Sequence, residues 1–158
     1  LSAIDIENNK QTKAEIMKRI AVVCSEFNRE ITEKLESGAV SYLRLQGIEP
    51  MVIHVPGAVE IPLACEWLLQ KGMDAIVAIG AVIRGETSHY DLVCNSVERG
   101  VSELMLRWKK PIAFGVITTE NEEQALERAG GRYGNKGEEA ARVALTMLEL
   151  FGRMNAHE

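Results

Sequence analysis

A three-layer α/β/α fold around a four-stranded parallel sheet is what this sequence predicts, on two observations. Short β-rich runs alternate with longer amphipathic stretches, and those runs are apolar almost throughout instead of alternating polar and apolar. Strands of that kind are buried on both faces, as in parallel sheets covered by helices. At 158 residues the chain is the length of one domain.

The elements read in order. Ile20 to Cys24 (IAVVC) is a buried strand, and Arg29 to Leu45 follows with Ile31, Leu35, Ala39, Tyr42 and Leu43 near helical spacing. Gly47 is the stop signal of that helix. Met51 to Val55 (MVIHV) is a second strand, ending at Pro56-Gly57. Glu60 to Lys71 is a helix with Pro62 in its first turn, where a missing N–H is harmless, and Gly72 closes it. Asp74 to Ile79 is the third strand, Gly80 to Ser88 a glycine-containing connection, and His89 to Lys109 the next helix. Pro111 to Ile117 is the fourth strand. Thr119 to Ala129 and Lys136 to Phe151 are two further helices, joined through Gly130 to Asn135. The architecture is flavodoxin-like.

Composition excludes several function classes. Eighteen Lys and Arg against 23 Asp and Glu give a net charge of −5, which argues against nucleic-acid or anionic-membrane binding. The longest apolar run, Ala75 to Ile83, falls far short of the about 20 residues a membrane-spanning helix needs. Cys24, Cys65 and Cys94 are odd in number and contain no C-x-x-C pair, so neither a zinc cluster nor a disulfide framework is expected. Cys24 and Cys65 lie in apolar runs and read as small core residues. Residues 1–18 form a polar arm without the apolar stretch of a signal peptide. A cytoplasmic protein fits best, and a chain that begins at Leu1 is also compatible with removal of a plastid transit peptide.

Parallel sheets of this kind bind ligands outside the carboxyl ends of their strands. Four segments meet at that rim: Ser25 to Asn28, Pro56 to Glu60, Gly80 to His89, and Thr118 to Glu120. The richest is Gly80-Ala-Val-Ile-Arg-Gly-Glu-Thr-Ser-His89. Its successive N–H groups before a helix form an anion site, for a phosphate monoester rather than a nucleotide, because G-K-[ST] and G-x-G-x-x-G are absent. The plainer alternative is a tight turn with a helix cap. His89 opens the next helix, where it is either a proton-transfer group or a capping residue. His54, inside a strand, reads as structural, and His157 lies in the tail.

Arg84, Arg128 and Lys136 are candidate phosphate partners or ordinary surface charges. Arg128 and Lys136 bracket the Gly130 to Asn135 bend, which can aim both at one anion. Glu60 either holds ligand hydroxyls or complements a helix dipole. Phe27 either stacks on a planar heterocycle or packs in the core.

Six segments together resemble the lumazine synthase (6,7-dimethyl-8-ribityllumazine synthase) family. They are Phe27-Asn28, Val55-Pro-Gly-Ala-Val-Glu-Ile-Pro62, Gly80 to Asp91, Phe114-Gly-Val-Ile-Thr-Thr119, Gln124 to Gly130 and Gly134-Asn-Lys-Gly137. The resemblance covers about residues 19 to 151 and implies one such domain over residues 19–154. It also implies the condensation of 5-amino-6-(D-ribitylamino)uracil with 3,4-dihydroxy-2-butanone 4-phosphate in riboflavin biosynthesis. That transferase chemistry consists of proton transfers and departure of an anion, with no metal or other cofactor.

By the same resemblance, Phe27 and Asn28 bind the pyrimidinedione. Ala58, Val59, Glu60, Ala81, Val82 and Ile83 hold the ring and the ribityl chain, with Glu60 on ribityl hydroxyls. The Glu86 and Thr87 backbone, Arg128 and Lys136 take the phosphate, and His89 transfers protons. Phe114 comes from a neighbouring subunit. Two positions depart from the family pattern: Glu26 replaces a usual Arg, and Val59 replaces a large aromatic. A non-catalytic flavin- or lumazine-binding relative would not need to keep His89, Arg128 and Lys136 together.

The resemblance further implies homopentamers. The short Gly130 to Gly137 connection is compatible with an icosahedral 60-mer, and riboflavin synthase is a suggested partner. The N-terminal arm is expected to add a strand to a neighbour's sheet edge.

Overall fold

Strands β1 (Ile20–Ser25), β2 (Met51–Val55), β3 (Ala75–Ile83) and β4 (Ile112–Thr119) form one parallel sheet in the order β2-β1-β3-β4. The structure is a computed structural model that describes residues 18–156. The expected arm over residues 1–18 lies outside the described residues except for Lys18, and so does His157.

Helices α1 (Arg29–Leu45), α2 (Ile61–Gln70), α3 (His89–Trp108), α4 (Glu122–Arg128) and α5 (Lys136–Ala156) cover the sheet. The central strand β3 explains the layering. Ala75, Val77, Ile79 and Ala81 face one core with Leu35, Leu43, Ala125 and Ala140 of α1, α4 and α5. Ile76, Ala78 and Val82 face the other core with Ile61, Leu69, Val97 and Leu104 of α2 and α3. Successive strand residues point to opposite faces, so a strand apolar at every position needs a helical layer on each side.

Helix α5 shows how side-chain size sets the spacing of these layers. Gly137, Ala140, Ala141 and Ala144 are its buried residues, together with Leu145. A Cβ on Gly137 would strike the backbone carbonyl of Leu35 in α1, so only glycine permits that approach.

Several boundaries differ from the sequence-based expectation. Strand β3 runs four residues further, to Ile83, because β4 also continues and pairs Gly80 with Val116 through Ile83 with Thr119. Gly80 sits close to Ser25, Val116 and Ile61, where a side chain would be crowded. Thr119 therefore ends a strand instead of opening a helix, and α4 starts at Glu122, capped by Asn121, whose side chain accepts the Gln124 N–H at 2.9 Å. Ala58–Glu60 is a 3₁₀ turn ahead of α2. The Gly130 to Asn135 bend is a small antiparallel hairpin, β5 (Ala129–Gly131) with β6 (Gly134–Asn135). Gly130 and Gly134 there take positive φ of 101° and 77°, a region open to glycine.

Candidate active site

Strand order reverses between β1 and β3, and a crevice at their carboxyl ends is the binding position such a sheet offers. Hydrogen bonds knit the rim segments there into one surface. The N–H of Glu26 donates to the Val55 carbonyl at 2.8 Å and that of Phe27 to the Pro56 carbonyl at 3.0 Å. Asn28 holds the left-handed conformation, φ 60°, at the start of α1. This costs asparagine less than most residues. From there its Nδ2 donates to the Ala81 carbonyl at 2.9 Å, joining the β1 end to the β3 end. The Arg84 N–H donates to the Thr119 carbonyl at 2.9 Å, joining β3 to β4.

This rim collects Phe27, Asn28, Ala58, Val59, Glu60, Ala81, Val82, Ile83, Glu86, Thr87 and His89. Phe27 is 71% exposed, which settles one alternative: it is not core, and its ring is available for stacking. Val59 is also exposed, whereas Ala58, Ala81 and Val82 are buried and can offer a ligand little beyond backbone. Glu26, Glu60, Glu86 and Glu120 are all exposed, so the rim of one chain is acidic. His89 is the first residue of α3, exposed, with its N–H donating to Thr87 Oγ1 at 3.3 Å.

Of the two readings of Arg84, phosphate partner or surface charge, the geometry favours a paired surface charge. Its Nε donates to Glu120 at 2.8 Å, its Nη2 lies 3.5 Å from Asp91, and its guanidinium covers the Tyr90 ring at 4.3 Å. Its charge is already engaged by carboxylates.

Three expected site residues are not at the rim. Phe114 is 44% exposed in mid-β4, opposite Ala78. It lies five positions before Thr119, about 17 Å along the strand. Arg128 ends α4, about 10 Å along that helix from the rim. The hairpin does bring Arg128 and Lys136 together, since they flank the paired residues Ala129 and Asn135. Lys136 Nζ is paired with Glu139 at 2.9 Å. Arg128 donates one Nη1–H to the Gln124 carbonyl at 3.0 Å and lies 4.9 Å over the Tyr133 ring, leaving donors of its fork for an anion. Tyr133, which Arg132 also covers at 5.5 Å, is a residue that sequence reasoning misses. An aromatic inside a glycine-rich bend between two cations is the signal that could have found it.

Other titratable groups behave structurally. Burial pushes the Cys24 thiol up to about 11 and the Cys65 thiol up to about 12, which keeps both protonated and inert. His54 bonds Glu36, which also pairs with Arg29 at 2.9 Å, fastening the edge strand β2 to α1. No helix among the described residues is long and apolar enough to cross a membrane.

The family described as 6,7-dimethyl-8-ribityllumazine synthase matches residues 17–152. The chain belongs to the lumazine synthase family. Among curated relatives, the 6,7-dimethyl-8-ribityllumazine synthase of Bdellovibrio bacteriovorus is 62% identical over 133 residues, covering 84% of this chain and 74% of the relative. That of Cytophaga hutchinsonii is 50% identical over 131 residues, covering 80% and 82%.

Proposed function

We propose that the protein is a 6,7-dimethyl-8-ribityllumazine synthase of riboflavin biosynthesis. In this reading it condenses 5-amino-6-(D-ribitylamino)uracil with 3,4-dihydroxy-2-butanone 4-phosphate. The observation that carries this is the loop at the switch point. In a chain 62% identical to a curated synthase, that loop carries Glu86, Thr87 and His89 after β3, the strand paired with β1, which leads to the exposed Phe27.

Phe27 stacks on the pyrimidinedione, with Asn28 holding the rim beneath it. The backbone of Ala58, Val59, Ala81, Val82 and Ile83 meets ring and ribityl polar groups, and Glu60 accepts from ribityl hydroxyls. The uracil's amine attacks the ketone, and loss of water gives an imine. Phosphate leaves by elimination, and ring closure with loss of water completes the product. His89 accepts and returns the protons of these steps, worth about 10² to 10⁴ in rate. Glu86 and Thr87 offer backbone N–H groups to the phosphate, while Arg128 and Lys136 supply charge. Much of the remaining acceleration comes from holding two substrates together.

The site is shared between subunits of a homo-oligomer. Two features support this: Phe114 and Arg128 stand well away from their own chain's rim, and that rim is acidic, so a phosphate needs cations from elsewhere. A pentamer, free or closed into a 60-mer, would bring a neighbour's edge strand and hairpin to each rim, and riboflavin synthase is a natural partner for the product. The assembly operates in the cytoplasm. Incubating the purified chain with both substrates should yield lumazine absorbance and fluorescence; no product at saturating substrate would refute the assignment.

A further inference from the structure

We infer that Arg84 is a positioning residue that clasps the phosphate loop shut and thereby holds His89 in place. The inference rests on the roles proposed above for Glu86, Thr87 and His89.

Residues Arg84 to Ser88 connect the end of β3 at Ile83 to the start of α3 at His89. All five are exposed, and around Gly85 there is open space within 4 Å of where a Cβ would stand. Packing therefore does little to fix this loop. Arg84 stands at its first position and reaches the residues just past its end, Asp91 at 3.5 Å and the Tyr90 ring at 4.3 Å. The same guanidinium is anchored sideways by Glu120 at 2.8 Å, while the Arg84 N–H is held by the Thr119 carbonyl at 2.9 Å.

The planar fork can make these contacts together because its donors point in fixed, different directions. One side chain thus joins both ends of the loop to the end of β4. Exposed ion pairs add little to global stability, so the contribution of this cluster is geometric. Small misplacements in a site that works by proximity lower the rate steeply, by up to about 10²-fold per ångström. An ammonium in place of the fork can keep one of the two carboxylates but not the whole arrangement.

The test compares full-length wild type, Arg84→Met and Arg84→Lys. Expected for Arg84→Met are a kcat about tenfold lower and a severalfold higher KM for the phosphate-bearing substrate. KM for the uracil, melting temperature and particle size should be unchanged, and Arg84→Lys should recover part of kcat. Hydrogen exchange over residues 85–91 should be faster in Arg84→Met. Unchanged kcat, a loss of kcat that tracks a fall in melting temperature, or equal exchange in wild type and Arg84→Met would overturn the clasp. A wild type that makes no lumazine would instead overturn the functional reading, and the exchange comparison would still decide the clasp.

Discussion

The rim and the hairpin divide the expected site between them, and they are built in opposite ways. The rim is knit by hydrogen bonds across all four strand ends, carries His89 and Phe27, and is acidic at Glu26, Glu60, Glu86 and Glu120. The hairpin is a short excursion between two helices that presents Arg128 and Arg132 over the Tyr133 ring, with Lys136 directly after its last strand residue, Asn135. In the proposed reading one region has the proton-transfer group and the stacking surface, and the other has the charge for an anion. Neither is a complete site for a phosphorylated ketone. The difference teaches that, in the proposed reading, a chain can fold fully and still hold two half-sites that are completed by neighbours.

Breaking the rim should have the largest effect. His89→Ala is expected to lower kcat about 10² to 10⁴-fold with melting temperature and particle size unchanged; unchanged steady-state kinetics would remove the proton-transfer role. Breaking the hairpin should act on binding instead. Arg128→Ala is expected to raise KM for the phosphate-bearing substrate about 10 to 100-fold, the worth of a charge-assisted hydrogen bond. A rise confined to the uracil's KM would contradict the phosphate assignment.

A smaller change tests the hairpin's footing. Gly137→Ala puts a Cβ against the Leu35 carbonyl, which is backbone and cannot step aside. The expected result is a loss of about 1 to 3 kcal/mol in denaturant unfolding. A higher KM for the phosphate-bearing substrate should accompany it, while the uracil's KM stays put.

Much of this division is legible in the sequence. The parallel sheet follows from runs such as IAVVC and DAIVAI, and the rim follows from where those runs end. The end of β3 is harder to read, because Gly80 looks like a strand end whereas pairing with Val116 to Thr119 carries the strand through it. That override is tertiary, and a single segment does not display it. The hairpin reads only as a bend, since strands of two and three residues carry too little pattern. Arg84 reads as an anion ligand or an ordinary surface charge, because a lone cation in a loop gives no sign that Glu120, far along the chain, and Asp91 engage it.

Mixing the two half-sites tests the shared site most directly. His89→Ala and Arg128→Ala chains, each nearly inactive alone when the phosphate-bearing substrate is held below the wild-type KM, would be co-expressed with different tags, purified as one mixed assembly and assayed at that concentration. If the rim of one chain works with the hairpin of its neighbour, about a quarter of the interfaces should pair two intact halves. Activity should then return to about that fraction of wild type. Activity no higher than that of the separate variants would show that His89 and Arg128 must belong to the same chain, and would contradict the shared site.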